Sequence, residues 1–420
     1  MKQLRYLAVA GLTALLLCIH QGQLGAIPFN GTGSEGPTPA APTGSGASEI
    51  RGVWLTNVDS AVLFSRAAVE QTLQQLANYR FNTIYPTVWS WGYTLYPSSV
   101  AAQAIGYSQG LYPDFDATGR NVAWENAQSD HDALQEVITS AHAHNLSVIP
   151  WFEFGFMAPA VSPLAQRHPN WLTQKQGNLP EARFHQEGEH TRVWLNPFHP
   201  EVQQFLLELI GELMENYEVD GLQLDDHFSL PVEFGYDPYT VSLYRQEHDG
   251  RWPPTNPRNA EWMRWRADKI TAFVGRVFQV IKARRPTAIL SVSPNPAHFA
   301  YGRFLQDWPR WQQIGYVEEL IVQVYRDNLD TFRQTLRDRE IQRSRDHIPT
   351  GVGIMAGLRH QPVSMSLIQQ QVQAARDMGF DGVSFFFYET LWQLAPGETM
   401  ADRTGTLRQL FGRSRSRAQI

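Results

Sequence analysis

A chain of 420 residues, 43% of them hydrophobic, can bury one large α/β barrel or two medium domains. A formal charge of −6 excludes nucleic acid and anionic membrane surfaces as natural partners, and a single cysteine, Cys18, excludes an intramolecular disulfide. The 13 Trp, 15 Tyr and 22 Phe supply rings for a core and for stacking on the apolar faces of sugars.

In chain order, Lys2 and Arg5 precede an apolar run, Leu7–Ile19, and then the small pair Gly25-Ala26. This is the pattern of a secretory signal peptide over residues 1–26, too short for a stable membrane span. It predicts a secreted or periplasmic protein. Leu16-Leu17-Cys18 is a poor lipoprotein cleavage site, so anchoring through Cys18 is not expected. Residues 27–48, rich in Pro, Gly and Ser, read as a disordered linker, residues 49–412 as the folded domain, and the basic stretch 413–420 as a disordered tail.

Within the domain, strand-like runs alternate with helical ones. The strands are expected at Arg51–Asn57, Phe81–Trp89, Leu146–Gly155, Val219–Phe228, Ala288–Asn295, Glu319–Arg326, Pro349–Gly357 and Asp381–Glu389. The helices are expected from a Ser65 cap to Tyr79, from Ser129 or Asp130 to Asn145, and over Pro200–Tyr217, Ala260–Arg284, Trp308–Tyr316, Leu329–Arg343, Ser364–Met378 and Thr404–Phe411. Alternation of this kind predicts a parallel sheet, and eight strands are the number that closes a (β/α)8 TIM barrel. The long aromatic segments follow strands 2, 3 and 4, whereas the links from helix back to strand are short. In such barrels the loops after the strands build the site.

The decisive stretch is Val219–Phe228, an apolar strand that ends in Asp225, Asp226 and His227. Carboxylates avoid full burial unless paired, so several arriving together at a strand end point to chemistry rather than packing. Successive strand residues face opposite ways, so the two aspartates share a face only if the strand is already breaking up. Other strand ends carry Asn57, Trp89, Trp91, Glu153, Asn295, Gln323, Tyr325 and Glu389. A ring of carboxylates, amides and aromatics suits a carbohydrate better than a metal or a phosphate.

Glycoside cleavage needs one carboxyl that stays protonated and one that attacks the anomeric carbon or activates water. Asp225 is the expected base or nucleophile, with Glu153 or Asp226 as the acid. Glu153 lies between Phe152 and Phe154, which would raise its pKa. His227, Trp89, Trp91, Asn57, Asn295, Gln323, Tyr325 and Glu389 are the expected substrate-binding groups. The pair Trp89 and Trp91, two apart, would share a face as a stacking platform.

R-G-V-W-L-T-N, F-N-T-I-Y-P-T-V-W with L-Y-P-S-S, V-I-P-W-F-E-F-G and D-G-L-Q-L-D-D-H-F-S-L-P together resemble the glycosyl hydrolase-like 10 family of bacterial barrel proteins. The resemblance covers residues 49–389. It implies a (β/α)8 barrel acting on a glycan, with peptidoglycan glycan strands as one substrate class. The strand-four motif is also similar to the chitinase-like D-G-x-D-x-D-x-E, but Gln223 and His227 stand at its middle Asp and terminal Glu, so that mechanism's acid is missing. It resembles the α-amylase strand-four motif too, whose nucleophile maps to Asp225, yet strand five ends in S-P-N-P without an acid.

The leading expectation is therefore a secreted glycoside hydrolase acting on a polysaccharide by carboxylate acid/base catalysis. The alternatives are a non-catalytic glycan-binding barrel, and a metal-dependent hydrolase built on Asp225, Asp226 and His227. No metal site is otherwise expected, and no cofactor: neither G-x-G-x-x-G after a strand nor G-x-x-x-x-G-K-[ST] occurs.

Overall fold

The computed structural model describes residues 48–110, 131–177, 179–187, 190–358 and 361–417. The expected signal peptide and most of the linker, the Ser129/Asp130 cap and the last three residues lie outside them. Eight parallel strands form the barrel: β1 (Ile50–Leu55), β2 (Thr83–Pro86), β3, β4 (Gly221–Asp225), β5 (Ile289–Ser293), β6 (Glu319–Gln323), β7 (Thr350–Met355) and β8 (Gly382–Phe386). β3 is split into Ser147–Val148 and Trp151–Phe152 around Pro150, which has no N–H to give a ladder. Its first half pairs with β2 and its second with β4, and that split strand closes the ring.

Helices follow the strands: α1 (Arg66–Asn78), α2 (Ala133–Ala143), α3 (Pro200–Asn216), α4 (Ala260–Arg284), α5 (Trp308–Gln313), α6 in two pieces (Leu329–Leu336 and Arg339–Arg345), α7 (Met365–Asp377) and α8 (Met400–Leu410). Ser65 caps α1 as expected, its side chain accepting from the Ala68 N–H at 3.2 Å. The cap of α2 is instead Asp132, whose carboxylate accepts from Gln135. The helix expected over Leu329–Arg343 breaks at Arg337, because the Asp338 side chain accepts from the N–H groups of Glu340 and Ile341 and starts a new helix. No helix among the described residues is long and apolar enough to cross a membrane.

The two-residue period of each strand separates two cores. Outward residues such as Val53, Ile84, Phe152, Leu222, Leu224, Val292 and Val322 meet the helices. Inward residues Ile50, Trp54, Tyr85, Ile149, Trp151, Ile289 and Ile321 fill the barrel. Trp54 needs small neighbours there: a Cβ on Gly353 would lie 3.2 Å from its ring. Gln223 is also inward, taking the Trp54 indole N–H at 2.7 Å and donating to Ser291 Oγ at 3.0 Å, so a buried amide is satisfied within the layer.

The floor of the barrel, at the amino ends of the strands, is covered by the segment that follows α8. Residues 413–417, expected to be disordered, lie against it. Arg51 donates to the Arg413 carbonyl at 2.7 Å, the Glu49 N–H to Ser416 at 3.0 Å, and Arg417 to Thr83 Oγ1 at 3.0 Å. Arg417 also pairs with Glu319, a fully buried inward carboxylate that accepts from the Tyr85 hydroxyl. A tail with a buried acid to neutralise gains what its composition alone does not suggest.

Candidate active site

The inward column continues past the strand ends. Trp151 faces in, so Glu153, two residues on, does too; Gln223 leads likewise to Asp225, Ser291 to Ser293, and Ile321 to Gln323. Four polar groups are thereby gathered over the apolar filling by periodicity alone. β4 ends at Asp225 and turns at once, the Phe228 N–H closing on the Asp225 carbonyl at 3.0 Å. That break brings the Asp226 carboxylate to the same side as Asp225.

Asp225 Oδ1 accepts from Ser293 Oγ and from Gln323 Nε2, each at 2.9 Å. Gln306 fixes its backbone carbonyl at 2.9 Å. Asp226 Oδ2 accepts from Asn295 Nδ2 at 2.6 Å. His227 Nδ1 lies 3.2 Å from Asp226 Oδ1, 3.5 Å from Asp225 Oδ2 and 3.1 Å from the Glu153 carbonyl oxygen. Gly155 makes this proximity possible: it has a positive φ of 48°, and a Cβ there would strike the His227 backbone at 2.4 Å. The loops after β3 and β4 therefore touch where the acids meet.

Burial, then the neighbouring Asp226 charge, raises the Asp225 pKa well above the usual carboxylate range. Burial lifts Glu153 to about 7, against the pull of His227 and of hydroxyl hydrogen bonds from Thr87 and Ser90. The flanking phenylalanines are not the cause expected from sequence. Phe152 faces outward against Trp89, and Phe154 lies against Trp91 and Arg192, so strand alternation turns both away from the carboxyl. For His227, burial acts to lower the pKa, but Asp226, Asp225 and Glu187 outweigh it and hold it well above the usual imidazole value.

Sequence reading missed Glu187 and Arg192. Both sit on a three-stranded antiparallel sheet in the loop after β3, made of Met157–Pro159, His185–Glu187 and His190–Trp194. Glu187 Oε1 lies 3.5 Å from His227 Nε2, and Arg192 Nε donates to Glu187 Oε2 at 2.9 Å. Burial works to raise the Glu187 pKa, but the His227 and Arg192 charges bring it down to about 2.

The other expected binding groups are placed differently. Trp89 has no exposed surface; its indole donates to the Gly155 carbonyl at 2.9 Å and its ring packs on Phe152 and Phe205. Trp91 is 2% exposed and lies under Arg192. The positive φ at Trp91 turns the chain and breaks the strand period that would have aligned the two rings, so neither presents an open face to a sugar. Tyr325 is buried with Met355, Leu358 and Phe386. Asn57 is buried and its amide donates toward the Tyr93 hydroxyl at 3.5 Å. Glu389 pairs with Ser60 in the loop after β1, away from the aspartates' hydrogen-bond network; burial raises it to about 7.

Ligand atoms of Asp225, Asp226 and His227 lie within 4.8 Å of one another. Each of these side chains also has protein partners, as metal-ligating carboxylates and imidazoles commonly do, so the geometry fits a hydrogen-bonded acid cluster and a ligand set alike.

The sequence profile of the glycosyl hydrolase-like 10 family matches residues 49–375. The chain belongs to that family. The glycosyl hydrolase DigH of Escherichia coli K12 is 26% identical over 331 residues, 70% of this chain and 69% of DigH. YngK of Bacillus subtilis, also named a glycosyl hydrolase, is 23% identical over 180 residues, 39% of this chain and 30% of YngK. Among solved structures, the glycoside hydrolase domain of PgaB (BpsB) from Bordetella bronchiseptica superposes with a TM-score of 0.57 at 13% identity, covering 80% of this chain and 94% of that domain. The catalytic domain of a β-amylase from Paenibacillus polymyxa gives 0.55 at 10% identity, covering 87% of this chain and all of that domain. Family membership places the protein among glycoside hydrolases, and the structural neighbours show the barrel.

Proposed function

We propose that the protein cleaves O-glycosidic bonds of a polysaccharide at the mouth of its barrel, and that bacterial cell-wall glycan is the substrate class to try first. The observation that carries this reading is the gathering of Glu153, Asp225 and Asp226 at the carboxyl ends of two adjacent strands: both aspartate carboxylates face His227 Nδ1, the Glu153 backbone carbonyl touches the same nitrogen, and the Glu153 carboxyl accepts from Thr87 Oγ1 at 3.1 Å. Glu153, held protonated near neutrality by burial, suits the donor to the leaving oxygen. The Asp225/Asp226 pair suits the base or nucleophile, and Ser293, Gln323 and Asn295 orient its oxygens. Glycoside hydrolysis asks for one carboxyl that gives a proton to the leaving oxygen and one that attacks or activates water. The names of DigH and YngK support the same reading. The leader-like residues 1–26 support export to the compartment where cell-wall glycan lies, and cell fractionation tests it.

Purified peptidoglycan glycan strands and a panel of polysaccharides, assayed for new reducing ends, test the proposal. Wild type should release product; Asp225→Asn and Asp226→Asn should each lose about 10³-fold or more. Equal product from the variants removes the pair from the mechanism. Binding without product from wild type would make the barrel a glycan-binding module. Unchanged activity after a chelator would end the metal-dependent reading.

A further inference from the structure

The proposed chemistry leaves Glu187 and Arg192 without a role, although both are buried. Taking an arginine and a glutamate out of water costs more than their attraction returns unless further bonds are made. A loop hairpin that only needed to fold would do better with apolar residues there. The bonds that are made run in one direction. The Arg192 guanidinium lies 4.4 Å from the ring centre of Trp91 and 5.2 Å from that of Phe154, and so is held by rings from two different loops. Its Nε donates to one oxygen of Glu187. The other Glu187 oxygen faces His227 Nε2 at 3.5 Å, and the opposite ring nitrogen faces both aspartates.

We propose that Glu187 is a positioning residue for hydrolysis. Anchored by Arg192, it fixes the rotation of the His227 ring, so that the Nδ1 edge stays against the Asp225 and Asp226 carboxylates. An imidazole is a flat two-ended connector: with one end unheld, the ring turns about its Cβ–Cγ bond and the aspartates lose their common partner. Trp91 and Phe154 serve the same purpose one step back, by holding the arginine. The inference rests on reading the aspartates as the catalytic acids.

The test is a double-mutant cycle of Glu187→Gln and His227→Gln, with kcat and KM measured on purified peptidoglycan glycan strands by reducing-end release. Glu187→Gln should lower kcat by about 30-fold and leave KM within about threefold, and the double variant should be no slower than His227→Gln alone, because residues acting as one unit are not additive. Thermal melts establish that each variant is folded. If Glu187→Gln does not fold, Glu187→Asp, which keeps the charge but withdraws it by a methylene, must lower kcat at unchanged KM. Wild-type kcat in the glutamate variant, or losses that multiply in the double variant, overturn the proposal. Asp225→Asn in the same assay separates the two levels. Inactive Asp225→Asn beside fully active Glu187→Gln removes only the positioning role; fully active Asp225→Asn removes the catalytic cluster and the positioning role together.

Discussion

The two ends of the barrel bury acids in opposite ways. At the floor, the two most deeply buried acids each have a cation: Glu319 meets Arg417, and Glu49 lies between Arg51 and Arg376. At the mouth, Glu153, Glu187, Asp225 and Asp226 share His227 and Arg192. The titration follows the ratio. Burial works to raise the pKa of Glu49, yet Arg376 and Arg51 bring it below its ordinary value. At the mouth burial wins for Glu153 and Asp225, and both are raised. Similar burial thus gives an inert structural anion at one end and exchangeable protons at the other, and the difference is the supply of counter-charge.

That contrast can be broken from either side. The largest effects should come from the carboxyls at the mouth: in Glu153→Gln turnover falls about 10³-fold, while the melting temperature at pH 8 rises, because a neutral amide replaces an acid that burial penalises. At the floor the signs reverse. Arg417→Met leaves Glu319 buried without its cation and should cost about 4 kcal/mol in denaturant unfolding, with turnover per folded molecule unchanged; adding Glu319→Gln should restore most of the loss. An unchanged midpoint in Arg417→Met would mean that the floor does not depend on the tail.

The pH dependence sharpens the comparison. The Glu153 pKa rises from 4.5 to about 7 on folding, so the folded state binds the proton more tightly than the unfolded chain. Its contribution is intact below about pH 4.5 and is lost as pH climbs through 7, a fall of roughly 3 kcal/mol at 1.36 kcal/mol per unit. Unfolding midpoints measured from pH 4.5 to 8 should fall less in Glu153→Gln than in wild type by that amount, while Glu389, also raised to about 7, keeps its own share of the fall in both. The smallest effect belongs to the half-exposed pair Arg258–Glu233, where Arg258→Ala should change stability by no more than about 0.5 kcal/mol in the same assay.

The barrel was legible because strand period and loop asymmetry are local signals. All eight strand-like runs form strands, each shorter than its apolar pattern, since the ladder stops where the loops begin. The acids of β4 stood out for the same reason: charge at the end of an apolar strand is visible in a short window. Glu187 and Arg192 were hidden because their partners come from other loops. The one hint was the alternation of H-Q-E and H-T-R-V-W across a short polar link, which reads as a hairpin with Glu187 and Arg192 on one face. Trp89 and Trp91 misled because a two-residue spacing does not distinguish a rim from a core, and the turn at Trp91 depends on contacts outside its neighbourhood. The tail was read as disordered because the acid that fastens Arg417 lies 98 residues earlier, inside a barrel whose closure must be known first.

The stopper formed by residues 413–417 also bears on how the protein can be handled. A purification handle joined directly after Gly412 would delete the arginine that shields Glu319, whereas one joined after Ile420 leaves it in place. Because this seal lies at the end remote from the acids, a molecule held by the floor of its barrel would turn the strand ends that carry Asp225 and Asp226 away from the support.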